Sequence, residues 1–199
     1  MRRDVDRTAE CADLLVDFAR QNGLGPWAAA AKIWQGWVRF ERGEAEGALA
    51  QMREGLAEYR AAGTPHLLYR FIMVVAGVEA RVGFRQEGLA HLAEAGMAQD
   101  RLGSGAYACD LLRIKGELLA LSKEWADAEA CLRQSMGVAR EQQAPLWELR
   151  AAVGLGRLWA AHGRGGDIHK LIAPIYSRFT EGFDTPDLVE AKALLDATA

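Results

Sequence analysis

The residues best suited to chemistry in this chain are a few histidines, cysteines and glycine-rich turns, and their spacing decides what they can do. His162 and His169 flank Asp167 and are the chain's nearest approach to a metal-ligand cluster. A helical zinc site needs an H-E-x-x-H order or paired cysteines. Neither occurs, so both histidines are read as surface residues. Cys11, Cys109 and Cys131 are odd in number and form no C-x-x-C pair, which fits buried thiols in a reducing compartment rather than a disulfide framework. Gly163-Arg164-Gly165-Gly166-Asp167 lacks the G-x-x-x-x-G-K-[ST] order that wraps a phosphate, and reads as a turn between helices. Gly154 and Gly156 lie inside a helical stretch with no strand before it, so they read as packing positions. No G-x-S-x-G and no Cys/His pairing is visible. No catalytic residue, metal or cofactor is expected.

The elements that carry these residues are helices. Ala, Leu, Glu and Arg dominate with apolar residues three and four apart, and alternating Val/Ile/Thr runs are absent. Breaks recur at Gly23-Leu24-Gly25-Pro26, Gly63-Thr64-Pro65, Gly103-Ser104-Gly105 and Ala144-Pro145, with weaker ones near Gly43, Gly83, Ser122-Lys123 and Gly163. Helices of about 16–18 residues joined by short turns make an array of helical hairpins.

That array repeats every forty residues. Gly36, Ala76, Gly116 and Gly156 are small; Ala48, Gly88 and Ala128 follow twelve residues later, with Ile168 in the fourth unit. Met52, Leu92, Leu132 and Ile172 are large, and Trp27, Leu67, Tyr107 and Trp147 are bulky near each unit's start. The turn glycines share the period, with Gln143 and Lys123 as the exceptions. Small residues on both helices of a hairpin let them approach, and large ones fill the space toward the next hairpin. Trp27 and Trp147, sharing a register, are expected in the core. The reading is one all-α domain over 1–199, a right-handed α-solenoid of antiparallel helix pairs with roughly ten helices. It comprises an unpaired helix at 5–22, units at 24–63, 64–103, 104–143 and 144–183, and a capping helix at 184–199. Its opening in mid-unit is expected of a fragment, or of a chain descended from a longer array.

Half the residues are hydrophobic and a quarter charged, with a net charge of −3. That balance suits a folded chain and disfavours nucleic acid as a partner. No stretch of about 18 apolar residues is present to span a membrane, and no signal peptide is visible; a cytoplasmic location is expected.

The small–(12)–small–(4)–large pattern resembles the tetratricopeptide repeat. Gly36/Ala48, Ala76/Gly88 and Gly116/Ala128 stand at its two small positions; Gly55, Ala95 and Ser135 stand at a third, where Ile175 departs. The family's usual tryptophan is replaced by Lys32, Ile72, Leu112 and Ala152. The segments 111–119, 148–152, 171–176 and 179–188 look like the C-terminal repeat region of bacterial multidomain signalling proteins. In those, a class III adenylate or guanylate cyclase and a signal-transducing ATPase precede such repeats. The resemblance implies a sensor or partner-binding tail and transfers neither activity.

The same resemblance implies a concave groove lined by first helices. Carried over, its positions are Ile33, Trp37 and Phe40; Arg70, Met73 and Arg81; Asp110, Arg113 and Glu117; and Arg150, Val153 and Arg157. The arginines suit an acidic peptide or another anionic ligand; the alternative is that these charges pair along a solvated face. The expected function is a non-catalytic scaffold for a protein or peptide partner, with a small anionic ligand as the runner-up. A homodimer through the N-terminal end is also expected, where Leu14, Leu15 and Phe18 lie on the unpaired helix.

Overall fold

The structure, a computed structural model, describes residues 4–65, 67–103 and 105–198, and of Glu46 the backbone only. Ser104, within one expected turn, lies outside the described residues. Asp4–Ser104 and Gly105–Ala199 form two compact units, and each is taken by itself.

In the N-terminal unit α1 runs Val5–Gln21, α2 Gly25–Glu41, α3 Ala45–Ala61, α4 Leu68–Arg81 and α5 Arg85–Arg101. The C-terminal unit holds α6 Ala108–Leu121, α7 Trp125–Glu141, α8 Pro145–Ala160, α9 Ile168–Tyr176 and α10 Pro186–Asp196. Among the described residues all regular structure is helical, so the fold is all-α, as the periodicity predicts.

Local chemistry sets the ends. The Asp4 carboxylate accepts a hydrogen bond from the Arg7 backbone N–H at 2.9 Å and caps α1. Pro26 and Pro145 open α2 and α8, where no backbone donor is needed. The turns that follow α1 to α8 each contain a residue of positive φ, spaced by twenty: Gly23, Gly43, Gly63, Gly83, Gly103, Lys123, Gln143 and Gly163. The next residue's N–H typically reaches back five positions, as from Glu124 to the Leu119 carbonyl and from Ala144 to the Ala139 carbonyl, both at 2.9 Å. This is the Schellman closure. The two positions where glycine is missing from the repeat thus adopt the backbone that glycine adopts elsewhere.

The small residues act as the repeat requires. A Cβ on Gly36 would lie 2.5 Å from Met52 Cγ and 2.9 Å from the Ala48 carbonyl oxygen. One on Gly116 would lie 2.8 Å from Leu132 Cγ and 3.1 Å from the Ala128 oxygen. A Cβ on Gly156 would lie 3.2 Å from Ile172 Cδ1 and 3.3 Å from Ile168 Cγ2, so the fourth hairpin keeps the contact despite its bulkier partner. One register further on, a Cβ on Gly55 would meet the Ala29 carbonyl, and the Ser135 hydroxyl donates to the Cys109 carbonyl at 2.6 Å.

Several expectations are corrected. Trp27, in the first turn of α2, is 44% exposed rather than in the core, and Trp147 is half-buried. The aromatic core of the N-terminal unit is instead Trp37, Trp34, Phe71 and Tyr59. Trp34 stands edge-on to Trp37 and to Phe71, each at 6.2 Å, and Tyr59 lies 4.7 Å from Phe71. Cys11 is exposed, whereas Cys109 is buried and Cys131 half-buried; burial pushes both of those thiols up. The helix α9, nine residues long, is shorter than expected. A 3₁₀ turn at Gly165–Asp167 leads into α9, which ends two residues after Pro174.

Candidate functional site

The residues carried over as groove positions divide into core and surface. Ile33 and Met73 are fully buried, Val153 is 5% exposed and Trp37 9%. They hold helices together and offer little surface to a partner. A register fixes the face a residue occupies, but an apolar side chain on that face is covered by whatever helix packs there.

Phe40 and Arg81 remain accessible in the N-terminal unit. The Arg81 guanidinium lies over the Phe40 ring at 4.4 Å and is forked onto Glu41, across forty residues. Arg70 is half-buried on α4 and engaged by neighbours. In the C-terminal unit Asp110, Arg113 and Glu117 occupy successive turns of α6. Arg113 donates to Asp110 Oδ1 at 3.0 and 2.6 Å and to Glu117 Oε1 at 2.7 Å. Desolvation works against its charge, yet the two carboxylates hold the guanidinium above the usual arginine range. Glu117 in turn lies beside Gly154, where a Cβ would be 3.5 Å from its Oε1.

Arg150 is buried. It donates Nε and Nη2 to the two oxygens of Asp187 at 2.9 and 2.6 Å, and its guanidinium lies 4.7 Å from the Trp147 ring centre. Arg157 pairs with Glu190. These two pairs tie α8 to α10. The guanidiniums of Arg81, Arg113, Arg150 and Arg157 therefore already face carboxylates of the chain, and only Arg113 pairs with other groove positions, Asp110 and Glu117.

The histidines do not converge on a ligand. His162 Nδ1 lies 2.7 Å from the Leu158 carbonyl, its ring is 4.5 Å from Trp125, and His169 is exposed. Among the described residues, no three of His, Cys, Asp and Glu gather as a metal-holding group.

Three features escaped the sequence. Glu79 is fully buried between Arg53, at 2.9 Å, and His91, at 2.6 Å. Glu148, 3% exposed, accepts from Arg140 and Arg178. Finally, a cleft of about 630 Å³ is lined by residues of α1, α2 and α3, among them Arg20, Lys32, Gln35, Glu54 and Glu58. Lys32 donates to Glu54 and Glu58 at 2.8 and 2.7 Å, which holds its ammonium above the usual lysine range. The registers of Lys32 and Gln35 carry Ile72 and Val75 one unit on, and both are fully buried. A signal for some of these pairs existed: Lys32–Glu58, Arg53–Glu79 and Ser135–Cys109 are each 26 residues apart, the offset that brings the turns of facing helices together.

No known family profile matches the chain, and no curated protein resembles it in sequence. Among solved structures it is similar to BtubC (BKLC) from P. vanneervenii, with a TM-score of 0.72 and 17% identity, over 98% of this chain and 83% of that one. At that identity the likeness shows the fold, an all-α arrangement of helix pairs.

Proposed function

We propose that the chain is a non-catalytic, tetratricopeptide-type interaction and regulatory scaffold in the cytoplasm, the tail of a bacterial signalling protein that binds a peptide or protein partner along its first helices. The observation that carries this reading is the division of labour within each forty-residue unit. Gly36, Gly116 and Gly156 are committed to helix-on-helix contact. The accessible first-helix residues differ between units: Phe40 with Arg81 in one place, Arg113 with Glu117 in another. Constant packing beneath a varied surface is how repeat arrays present binding faces.

Affinity capture from the source cell identifies a partner, which is then titrated against the wild type and a Phe40→Ala/Arg81→Ala double variant. Saturable binding, weakened about tenfold in a folded variant, is the expected result. A captured protein that does not titrate, or one indifferent to every accessible first-helix substitution, would sink the reading. Self-association through α1, where Leu14 and Phe18 are 71% and 57% exposed, belongs to the same proposal. Sedimentation that stays monomeric at high concentration would remove it.

A second reading, a sensor for a small anionic ligand, rests on the size of the cleft between α1, α2 and α3, where Arg20 is the cation facing such a ligand because Lys32 already meets Glu54 and Glu58. Its volume lies within the range of small-molecule sites, about 300–1,000 Å³.

A further inference from the structure

In the C-terminal unit two guanidiniums share one buried carboxylate. Glu148 stands near the start of α8; Arg140, at the end of α7, donates Nε to its Oε1 at 2.5 Å. Arg178, just beyond α9, donates Nη2 to the other oxygen. The arginine side chains are 57% and 48% exposed while the side chain of Glu148 is 4% exposed. Among the described residues neither arginine has a second acidic partner. Two cations and one carboxylate leave a net positive charge. Each guanidinium has five N–H donors and spends one here.

A similar cluster in the same unit is closed. Arg133 and Arg164 share Glu129 and lie 5.2 and 4.4 Å from the Trp159 ring centre. Arg133 spends two N–H groups on Glu129, and Asp167 approaches Arg164 at 3.6 Å. Two cations face two carboxylates there, so little is left for a ligand.

We propose that Arg140 and Arg178 form a binding site for the phosphate group of an anionic ligand. The buried carboxylate holds both side chains at the start, so little ordering remains to oppose binding. Guanidinium forks match the oxygens of a phosphate, and half-exposed heads keep the site open to solvent. A phosphomonoester, near dianionic at neutral pH, meets the surplus charge better than a carboxylate does. This site goes beyond the scaffold reading and stands whether or not a partner docks on the first helices.

The test titrates the full chain with inorganic phosphate at fixed ionic strength, following NMR shifts and the thermal midpoint against a chloride control. Saturable shifts and a midpoint rise specific to phosphate are expected. Arg140→Gln is expected to weaken binding about tenfold, as is Arg178→Lys, which keeps the charge and loses the fork. Arg164→Gln at the closed cluster leaves it unchanged. If Arg140→Gln is too unstable to titrate, Arg140→Lys takes its place with the same expectation. An equal response to chloride, or undiminished binding in the Arg140 and Arg178 variants, overturns the site. A phosphoserine peptide binding more tightly than inorganic phosphate marks a protein-borne group, and equal affinity marks a free phosphate; both support the site.

Discussion

At the residue scale the tightest constraint is the Arg150–Asp187 pair. Both side chains are buried, with two hydrogen bonds at 2.9 and 2.6 Å. Asp187 also lies in the first turn of α10, where a carboxylate suits the helix dipole. A buried ion pair adds little over a well-packed apolar pair, but losing one partner strands the other charge. Asp187→Ala is therefore expected to lower stability by about 3–5 kcal/mol in urea unfolding. The double variant Arg150→Met/Asp187→Leu should recover most of that loss. A drop of under about 1 kcal/mol in the single variant would mean that Arg150 finds water or another carboxylate. Glu129 illustrates the milder case. Desolvation pushes its carboxyl up, but the hydrogen bonds from Arg133 and the charges of Arg133 and Arg164 outweigh it and hold it below the usual range. Its contribution is thus present above the unfolded carboxylate range and is lost as pH falls through the lowered value.

At the scale of the element the repeated unit is a helix with its closing turn. Gln143 and Lys123 have φ of 52° and 64°, the conformation that glycine supplies at the six other turns of the series. A left-handed backbone costs an ordinary residue about 1–2 kcal/mol, whereas glycine gives up about 0.5–1 kcal/mol through its looser unfolded chain. Gln143→Gly is therefore expected to stabilise the chain by about 0.5–1 kcal/mol, read as a higher urea midpoint at unchanged slope. A lower midpoint would show that the exposed Gln143 side chain contributes more than its backbone costs. The same comparison shows what the sequence could reveal. The Gly36, Ala48 and Met52 registers were legible because a close helix contact admits few residue types. Glu148 was not, because Arg140 and Arg178 reach it from eight and thirty residues away, outside helical spacing and the 26-residue offset alike. The groove positions were half legible: Phe40 and Arg81 surfaced, but the apolar Ile33, Met73 and Val153 were covered by packing that a register alone does not specify.

At the scale of the molecule, a repeat array draws its stability from each element and its immediate neighbours. The end of the C-terminal unit tests this, because α10 packs on α8 and α9. Leu188, Ala191 and Leu195 are buried, and Asp187 and Glu190 reach Arg150 and Arg157 of α8. Removing residues 184–199 uncovers that face and strands the buried Arg150 charge in one step. Amide exchange in the truncated chain is expected to speed most in α8 and α9, with the loss fading toward α6 and α7. Uniform acceleration across all four helices would instead mean that the unit opens as one cooperative block. The distinction bears on function. If the loss fades with distance, α10 acts as a local clasp on α8 and α9, and a partner that displaced it would alter those two helices while leaving α6, with Arg113 and Glu117, in place.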